Sequence, residues 1–251
     1  MRKKRIIPCL DLKDGRVVKG TNFVGLREMG DPLQLAIDYA NNGADELVLL
    51  NIAPSADSQK KVIELIPKIM KQINIPLVVG GGIKTVADVE QLIGAGANKI
   101  TISSAAVSNP SLITSVAKQF GAATVVIAID AKYKDKNKWS VMTNGGKKDT
   151  GLDVVEWARE VEQLGAGEIL LTSVDKDGCK DGYDLPLMNE VASAVSIPVI
   201  ASGGCGDPEH IAQVCQQTNV SAALAASIFH EGKYTANEVK EICRKRGVNM
   251  Q

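Results

Sequence analysis

Ile75-Pro76-Leu77-Val78-Val79-Gly80-Gly81-Gly82 returns 122 residues later as Ile197-Pro198-Val199-Ile200-Ala201-Ser202-Gly203-Gly204. The same offset lays Gly43-Ala44-Asp45-Glu46-Leu47 on Gly165-Ala166-Gly167-Glu168-Ile169, and an offset of 119 lays Cys9-Leu10-Asp11-Leu12-Lys13 on Ala128-Ile129-Asp130-Ala131-Lys132. The three-residue difference belongs to one loop. Each half, about 1–122 and 123–251, therefore carries one Asp and one glycine-rich turn in matching places. Two equivalent carboxylates and two equivalent anion cradles suit a substrate charged at both ends.

Working outward, apolar runs of strand length stand at 5–10, 46–51, 76–80, 99–103, 124–129, 168–172, 198–202 and 222–225. Amphipathic helical patterns lie between them, among others at 31–42, 60–73, 85–94, 153–164 and 207–217. Asp31-Pro32 and Asp207-Pro208 read as an N-cap followed by proline in the first turn. Nearly continuous Val, Ile and Leu fits parallel strands covered by helices. Eight strand-helix units in 251 residues predict a single-domain α/β fold, a (β/α)8 TIM barrel with internal half-barrel duplication. An open doubly wound sheet is the alternative, but two equivalent halves close naturally into a ring.

Composition narrows the function classes. A formal net charge of zero gives no sign of a nucleic-acid partner, and no apolar run reaches the length of a membrane span or a signal-peptide core. The expectation is a cytosolic chain with neither nucleic-acid nor membrane partner. Five cysteines without a C-x-x-C pair, and two histidines without a partner at helical spacing, predict reduced thiols and no metal site. Cys9 shares a strand face with Asp11 and reads as a small buried filler rather than a nucleophile.

In a barrel the chemistry sits on the loops after the C-terminal ends of the strands. Asp11 and Asp130 stand there on strands one and five, where paired carboxylates divide acid and base work. A single Asp after a strand commonly caps the next turn; two in register across a duplication favour the chemical role. Gly80-Gly81-Gly82 before the helix at about Thr85, and Ser202-Gly203-Gly204 in the other half, predict free backbone N–H groups at a helix N-terminus, an anion site. The next strand of each half ends in small residues, Ser103-Ser104-Ala105 and Ala225-Ala226-Ser227, which leave room beside each cradle. Two phosphates, one on each side of the mouth, follow.

Two connections are long. The segment from Lys13 to about Gly30 reads as a lid-like loop carrying Lys19, toward a phosphate or developing charge or simply into solvent; 133–151 reads as a hairpin-like insertion with an Asn144-Gly145 turn. At the opposite strand ends, Arg5, Glu46, Lys99 and Glu168 form a candidate ring of charges on the barrel floor. Such a ring is ordinarily structural, and a gated passage for a small neutral molecule is the sharper alternative.

From Arg5-Ile6-Ile7-Pro8-Cys9-Leu10-Asp11 to Gly247-Val248-Asn249 the chain resembles the cyclase subunits of imidazole glycerol phosphate synthase, most specifically at Lys13-Asp14-Gly15-Arg16-Val17-Val18-Lys19-Gly20 and Gly167-Glu168-Ile169-Leu170-Leu171-Thr172-Ser173. The resemblance implies a lyase without cofactor, working with a glutaminase subunit as a heterodimer. Ammonia from the glutaminase would pass through the barrel and attack a ribulosyl aminoimidazole carboxamide nucleotide with a phosphate at each end. The products would be imidazole glycerol phosphate and aminoimidazole carboxamide ribonucleotide. It implies that Asp11 and Asp130 are the acid-base pair, without assigning which is which. Lys19, Gly82, Thr172, Asp177 with its neighbour Gly178, Gly204, Ala226 and Ser227 would surround the substrate. Arg5, Glu46, Lys99 and Glu168 would form the ammonia gate.

The chain departs from the family pattern in places. Asn51 stands for the usual Asp, Ala53-Pro54 for Thr-Ala, Ser103 for a substrate-contacting Asn, and Asn98 for an acidic residue expected at the partner interface. Three other readings share parts of the pattern: the sister isomerase of the same pathway, an ammonia-channelling subunit of another amidotransferase, and a scaffold that only activates a glutaminase. The gate ring and the Lys19-Gly20 context favour the cyclase over the isomerase. The two Asp and two cradles favour it over the other two.

Overall fold

Strand β1 (Arg5–Lys13) turns alternate side chains to opposite faces, and that alternation organises the molecule. Ile7 and Cys9 enter one buried cluster, whereas Ile6, Leu10 and Leu12 enter another. The computed structural model describes residues 3–21 and 24–251. After β1 come an antiparallel ribbon of β2 (Arg16–Thr21) and β3 (Val24–Gly30), then α1 (Pro32–Asn41), β4 (Leu47–Asn51), α2 (Ala56–Met70), β5 (Leu77–Gly80), α3 (Val86–Gly94), β6 (Lys99–Ile102), α4 (Ser104–Ser108) and α5 (Ser111–Phe120). The chain continues with β7 (Val125–Tyr133), a second ribbon of β8 (Trp139–Thr143) and β9 (Lys148–Asp153), α6 (Val154–Gln163), β10 (Glu168–Ser173) and α7 (Leu185–Ala194). It ends with β11 (Val199–Ser202), α8 (Pro208–Gln217), β12 (Ala222–Ala225), α9 (Ser227–His230) and α10 (Ala236–Lys245).

Strands β1, β4, β5, β6, β7, β10, β11 and β12 pair in that order, all parallel, and β12 returns to β1 from Arg5↔Ala222 to Pro8↔Ala225. The eight-stranded sheet closes on itself, so the fold is a (β/α)8 TIM barrel without an open edge. Ile7, Val48, Val78, Val126, Leu170, Ile200, Ala222 and Leu224 fill the inside, and the larger cluster lies between strands and helices.

The helix starts follow from the sequence. Asp31 accepts from Leu33 N and Gln34 N at 3.0 Å each, and Asp207 from Glu209 N at 2.9 Å, with proline in the first turn of both helices. Two expectations change. The helix read at 60–73 begins earlier, at Ala56, because Ser55 and Ser58 form a reciprocal capping box. The stretch read as a long loop before Gly30 is the β2–β3 ribbon, whose first strand folds back on β1 through Leu12↔Val17 and Lys13↔Arg16. Strand-forming Val17 and Val18 are buried there, which a solvated loop would not permit.

The last helix is held by a buried ion pair. Lys240 Nζ lies 2.6 Å from Asp45 Oδ1, and Asp45 Oδ2 accepts from Ile6 N at 2.8 Å, tying α10 to the starts of β1 and β4. Removing one partner strands a charge in the interior. Lys240→Met is expected to lower the unfolding free energy by about 3–5 kcal/mol, measured by urea denaturation, whereas Lys233→Met on the surface changes it little.

Candidate active site

Because all eight strands are parallel, their C-terminal ends meet at one mouth, and Asp11 and Asp130 both open onto a pocket of about 100 Å³ there. Lys19, Thr172, Asp177, Gly178, Gly203, Gly204, Ala226 and Ser227 line it with them. Lys19 comes from the ribbon rather than from a barrel strand. Its Nζ stands 3.7 Å from Asp11 Oδ2 and 3.5 Å from Asp177 Oδ1. Cys9 Sγ donates to Asp11 Oδ1 at 3.4 Å.

The two carboxylates therefore sit in different fields. Burial pushes the Asp11 carboxyl up and Lys19 pulls it back, and on balance it stays raised. Among the described residues no cation pairs with Asp130; burial, assisted by Asp177, pushes it up to about 6. Burial works against the charge on Lys19, but Asp11 and Asp177 outweigh it and raise the ammonium above its usual range. Cys9 is driven well above the usual thiol range, first by burial and then by Asp11, so it stays protonated and is no nucleophile.

A second cavity of about 1130 Å³ adjoins the first, sharing Leu50, Ala128 and Asp130 with it. Gly81, Gly82, Ser103 and Ser104 line it, together with Asn51, Ala53 and Pro54. The glycines are required by close approach: at φ +96° a Cβ on Gly81 would strike the Asn51 backbone, and at φ +93° one on Gly203 would come within 2.7 Å of Ser173 O.

At the expected helix N-termini some of the donors are already taken. Asp88 Oδ2 already accepts from Lys84 N at 2.9 Å and Thr85 N at 2.8 Å, just before α3, and Asp88 N donates to Thr85 Oγ1 at 3.2 Å. In the other half Asp207 caps α8, and Gly206 N donates to His210 Nδ1 at 3.2 Å. The free donors lie one step earlier. Among the described residues, the backbone N–H groups of Gly81, Gly82 and Ile83, and of Gly203, Gly204 and Cys205, reach no protein acceptor. Unpaired loop amides of this kind are able to meet an anion.

At the opposite end of the barrel the four charged residues meet. Arg5 bonds both Glu46 and Glu168, and Lys99 Nζ lies 2.8 Å from a carboxylate oxygen of each. The ring is closed, with alternating charges. Asn98, which departs from the family's acidic residue, is engaged locally: its Oδ1 accepts from Leu77 N at 2.9 Å at the start of β5. Asn51 Nδ2 donates to Ser58 Oγ at 3.0 Å, anchoring β4 to α2.

Reading the sequence by residue type missed Lys13, Lys84, Lys147 and Lys148, all of which line the larger cavity. Their signal was weak because exposed loop lysines are common. Among the described residues, no group of three or more His, Cys, Asp or Glu side chains is arranged to hold a metal ion, and no helix is long and apolar enough to cross a membrane.

A family model described as histidine biosynthesis protein matches residues 5–235. The chain is 53% identical over 251 residues to the imidazole glycerol phosphate synthase subunit HisF of Bacillus cereus strain Q1, covering all of both chains. Subunits of the same name from Bacillus cereus strains ATCC 10987 / NRS 248 and AH187 are 52% and 53% identical, again over the full length of both chains.

Proposed function

Because the chain belongs to the histidine biosynthesis protein family, as a cyclase subunit of the imidazole glycerol phosphate synthase type, we propose that it joins ammonia from a glutaminase subunit to a ribulosyl aminoimidazole carboxamide nucleotide bearing two phosphates. It releases imidazole glycerol phosphate and aminoimidazole carboxamide ribonucleotide, and so acts as a lyase. The observation that carries this reading is the pairing of two differently poised carboxylates, Asp11 and Asp130, with free amide cradles on both sides of one mouth.

Asp130 is the acid and Asp11 the base. A carboxyl lifted to about 6 with no cation beside it holds its proton longer, and one facing Lys19 gives its proton up more readily. Asp130 delivers a proton to the oxygen of the ribulosyl carbonyl as ammonia attacks the carbon. Asp11 removes a proton from the nitrogen as the adduct collapses to an imine and the protonated oxygen leaves as water; the new nitrogen then closes the imidazole ring on the carbon bound to the aminoimidazole nitrogen, and that C–N bond breaks to release the ribonucleotide. Lys19 favours the ionised form of Asp11, while Asp177 works against it and holds Lys19 from the other side. The two halves, about 1–122 and 123–251, each contribute one carboxylate and one cradle.

Ammonia enters through the floor. The interior between the Arg5–Glu46–Lys99–Glu168 ring and the Asp pair is packed with Ile7, Val48, Val78, Val126 and Leu170, apolar side chains between which neutral ammonia would pass at far lower cost than ammonium. The partner glutaminase docks over that end.

The test is turnover of the two-phosphate nucleotide by the purified chain with an ammonium salt at alkaline pH and no glutaminase. Formation of both products supports the cyclase. Tight binding without turnover would move the reading to a scaffold or a paralogous subunit.

A further inference from the structure

The two cradles are unequal in charge. Lysines flanking the narrow pocket are held by carboxylates: Lys19 by Asp11 and Asp177, Lys176 by Asp181 at 2.9 Å, and Lys180 by Glu231. The wide cavity is lined by Lys13, Lys84, Lys147 and Lys148, and among the described residues none of these has a carboxylate within 4.0 Å. Four lysines against the two carboxylates Asp130 and Asp149 leave the lining of this cavity net positive, which favours an anion.

Two of the four ride on the β8–β9 hairpin, which follows β7 yet leans over the cradle after β5. Asn144 N donates to Ser104 Oγ at 3.0 Å, latching the turn to the start of α4. Asn144, Gly145 and Gly146 have φ of 55°, 64° and 77°, a left-handed run that an Asn-Gly-Gly sequence adopts with little strain. Behind the turn, Asp149 is gripped by Lys134 and Ser140, and Thr150 Oγ1 donates to Val141 O at 2.7 Å. Lys147 and Lys148 are thus carried between a latched turn and a pinned strand.

We propose that Lys147 and Lys148 are substrate-binding residues that complete the first cradle, taking the phosphate whose other oxygens meet the amides of Gly81, Gly82 and Ile83. An ammonium is a point charge that needs no fixed approach angle, which suits a phosphate entering a wide cavity. The hairpin positions both ammoniums because Ser104 holds its turn. In naming the phosphate as part of a nucleotide substrate, the proposal rests on the cyclase reading.

The experiment titrates inorganic phosphate into the wild type and Lys147→Gln/Lys148→Gln while following the amide resonances of Gly82 and Gly204. Affinity read at Gly82 is expected to fall about tenfold in the variant, while affinity read at Gly204 holds. Equal affinities at Gly82 in the two proteins, or an equal fall at both glycines, would overturn the assignment. A second arm measures KM for the two-phosphate nucleotide with saturating ammonium. The variant is expected to show a KM raised about tenfold, kcat within about twofold and a shallower dependence of KM on salt, and Lys60→Gln/Lys68→Gln keeps the wild-type KM. A wild type that binds phosphate at Gly82 but turns over no substrate would sink the cyclase reading and leave the hairpin site standing.

Discussion

Asp130→Asn is expected to lose cyclase turnover by about 10²- to 10⁴-fold and, at the same time, to become more stable than the wild type above pH 6. The first effect follows from removing the proton that the carbonyl oxygen needs, since Asn keeps the shape and lacks an exchangeable acid. The second follows from linkage. The native carboxyl is lifted to about 6, mainly by burial, against an ordinary value near 4 in the unfolded chain. Below pH 4 both states carry the proton and the group is neutral in its effect. Between about 4 and 6 the native state binds more protons, so stability falls as pH rises, and above 6 the full cost remains. Allowing for partial exposure at the mouth, that cost is about 1–3 kcal/mol. Urea denaturation at pH 4 and pH 8 measures it: the variant gains at pH 8 and gains nothing at pH 4. Asp11→Asn is expected to lose turnover to a similar degree. Near-normal turnover in either variant would remove the acid-base assignment.

Arg5→Ala is expected to lower the unfolding free energy by about 3–5 kcal/mol, because it leaves Glu46 and Glu168 facing each other with Lys99 as their only cation in the ring. Chemical denaturation at neutral pH reads that loss. If the ring gates ammonia, a second effect accompanies it in the holoenzyme with its glutaminase. Product formed per glutamine hydrolysed falls, while turnover supported by added ammonium persists. Loss of stability with unchanged coupling would make the ring purely structural.

Much of the barrel was legible because its strands obey local rules. The runs at 46–51, 76–80 and 222–225 differ from β4, β5 and β12 by one residue or none, since a strand buried on both faces reads as an apolar block. Asp31 and Asp207 announced α1 and α8 through their caps. Ser55 did not announce α2, because a Ser-Ser box is a weaker signal than Ser-Glu. The ribbon β2–β3 was hidden for another reason: its pairing with β1 is a tertiary contact, and Gly15 and Gly20 interrupt the pattern as they would in a loop.

The sequence by itself determined the repeat, the eight alternating units, and the positions of Asp11, Asp130 and the glycine turns along the chain, because each depends on spacing and local propensity. Only the tertiary structure decided what these residues feel. Ring closure buried Asp130 and set Lys19 between Asp11 and Asp177, which separates two carboxylates that look alike in the repeat. It showed that Asp88 and Asp207 take up N–H groups around the starts of α3 and α8, while the loop amides before them stay free. It also carried the lysines of one hairpin across the mouth to a cradle some 60 residues earlier in the chain. Electrostatics and burial depend on distances in space, and those exist only once the ring is closed.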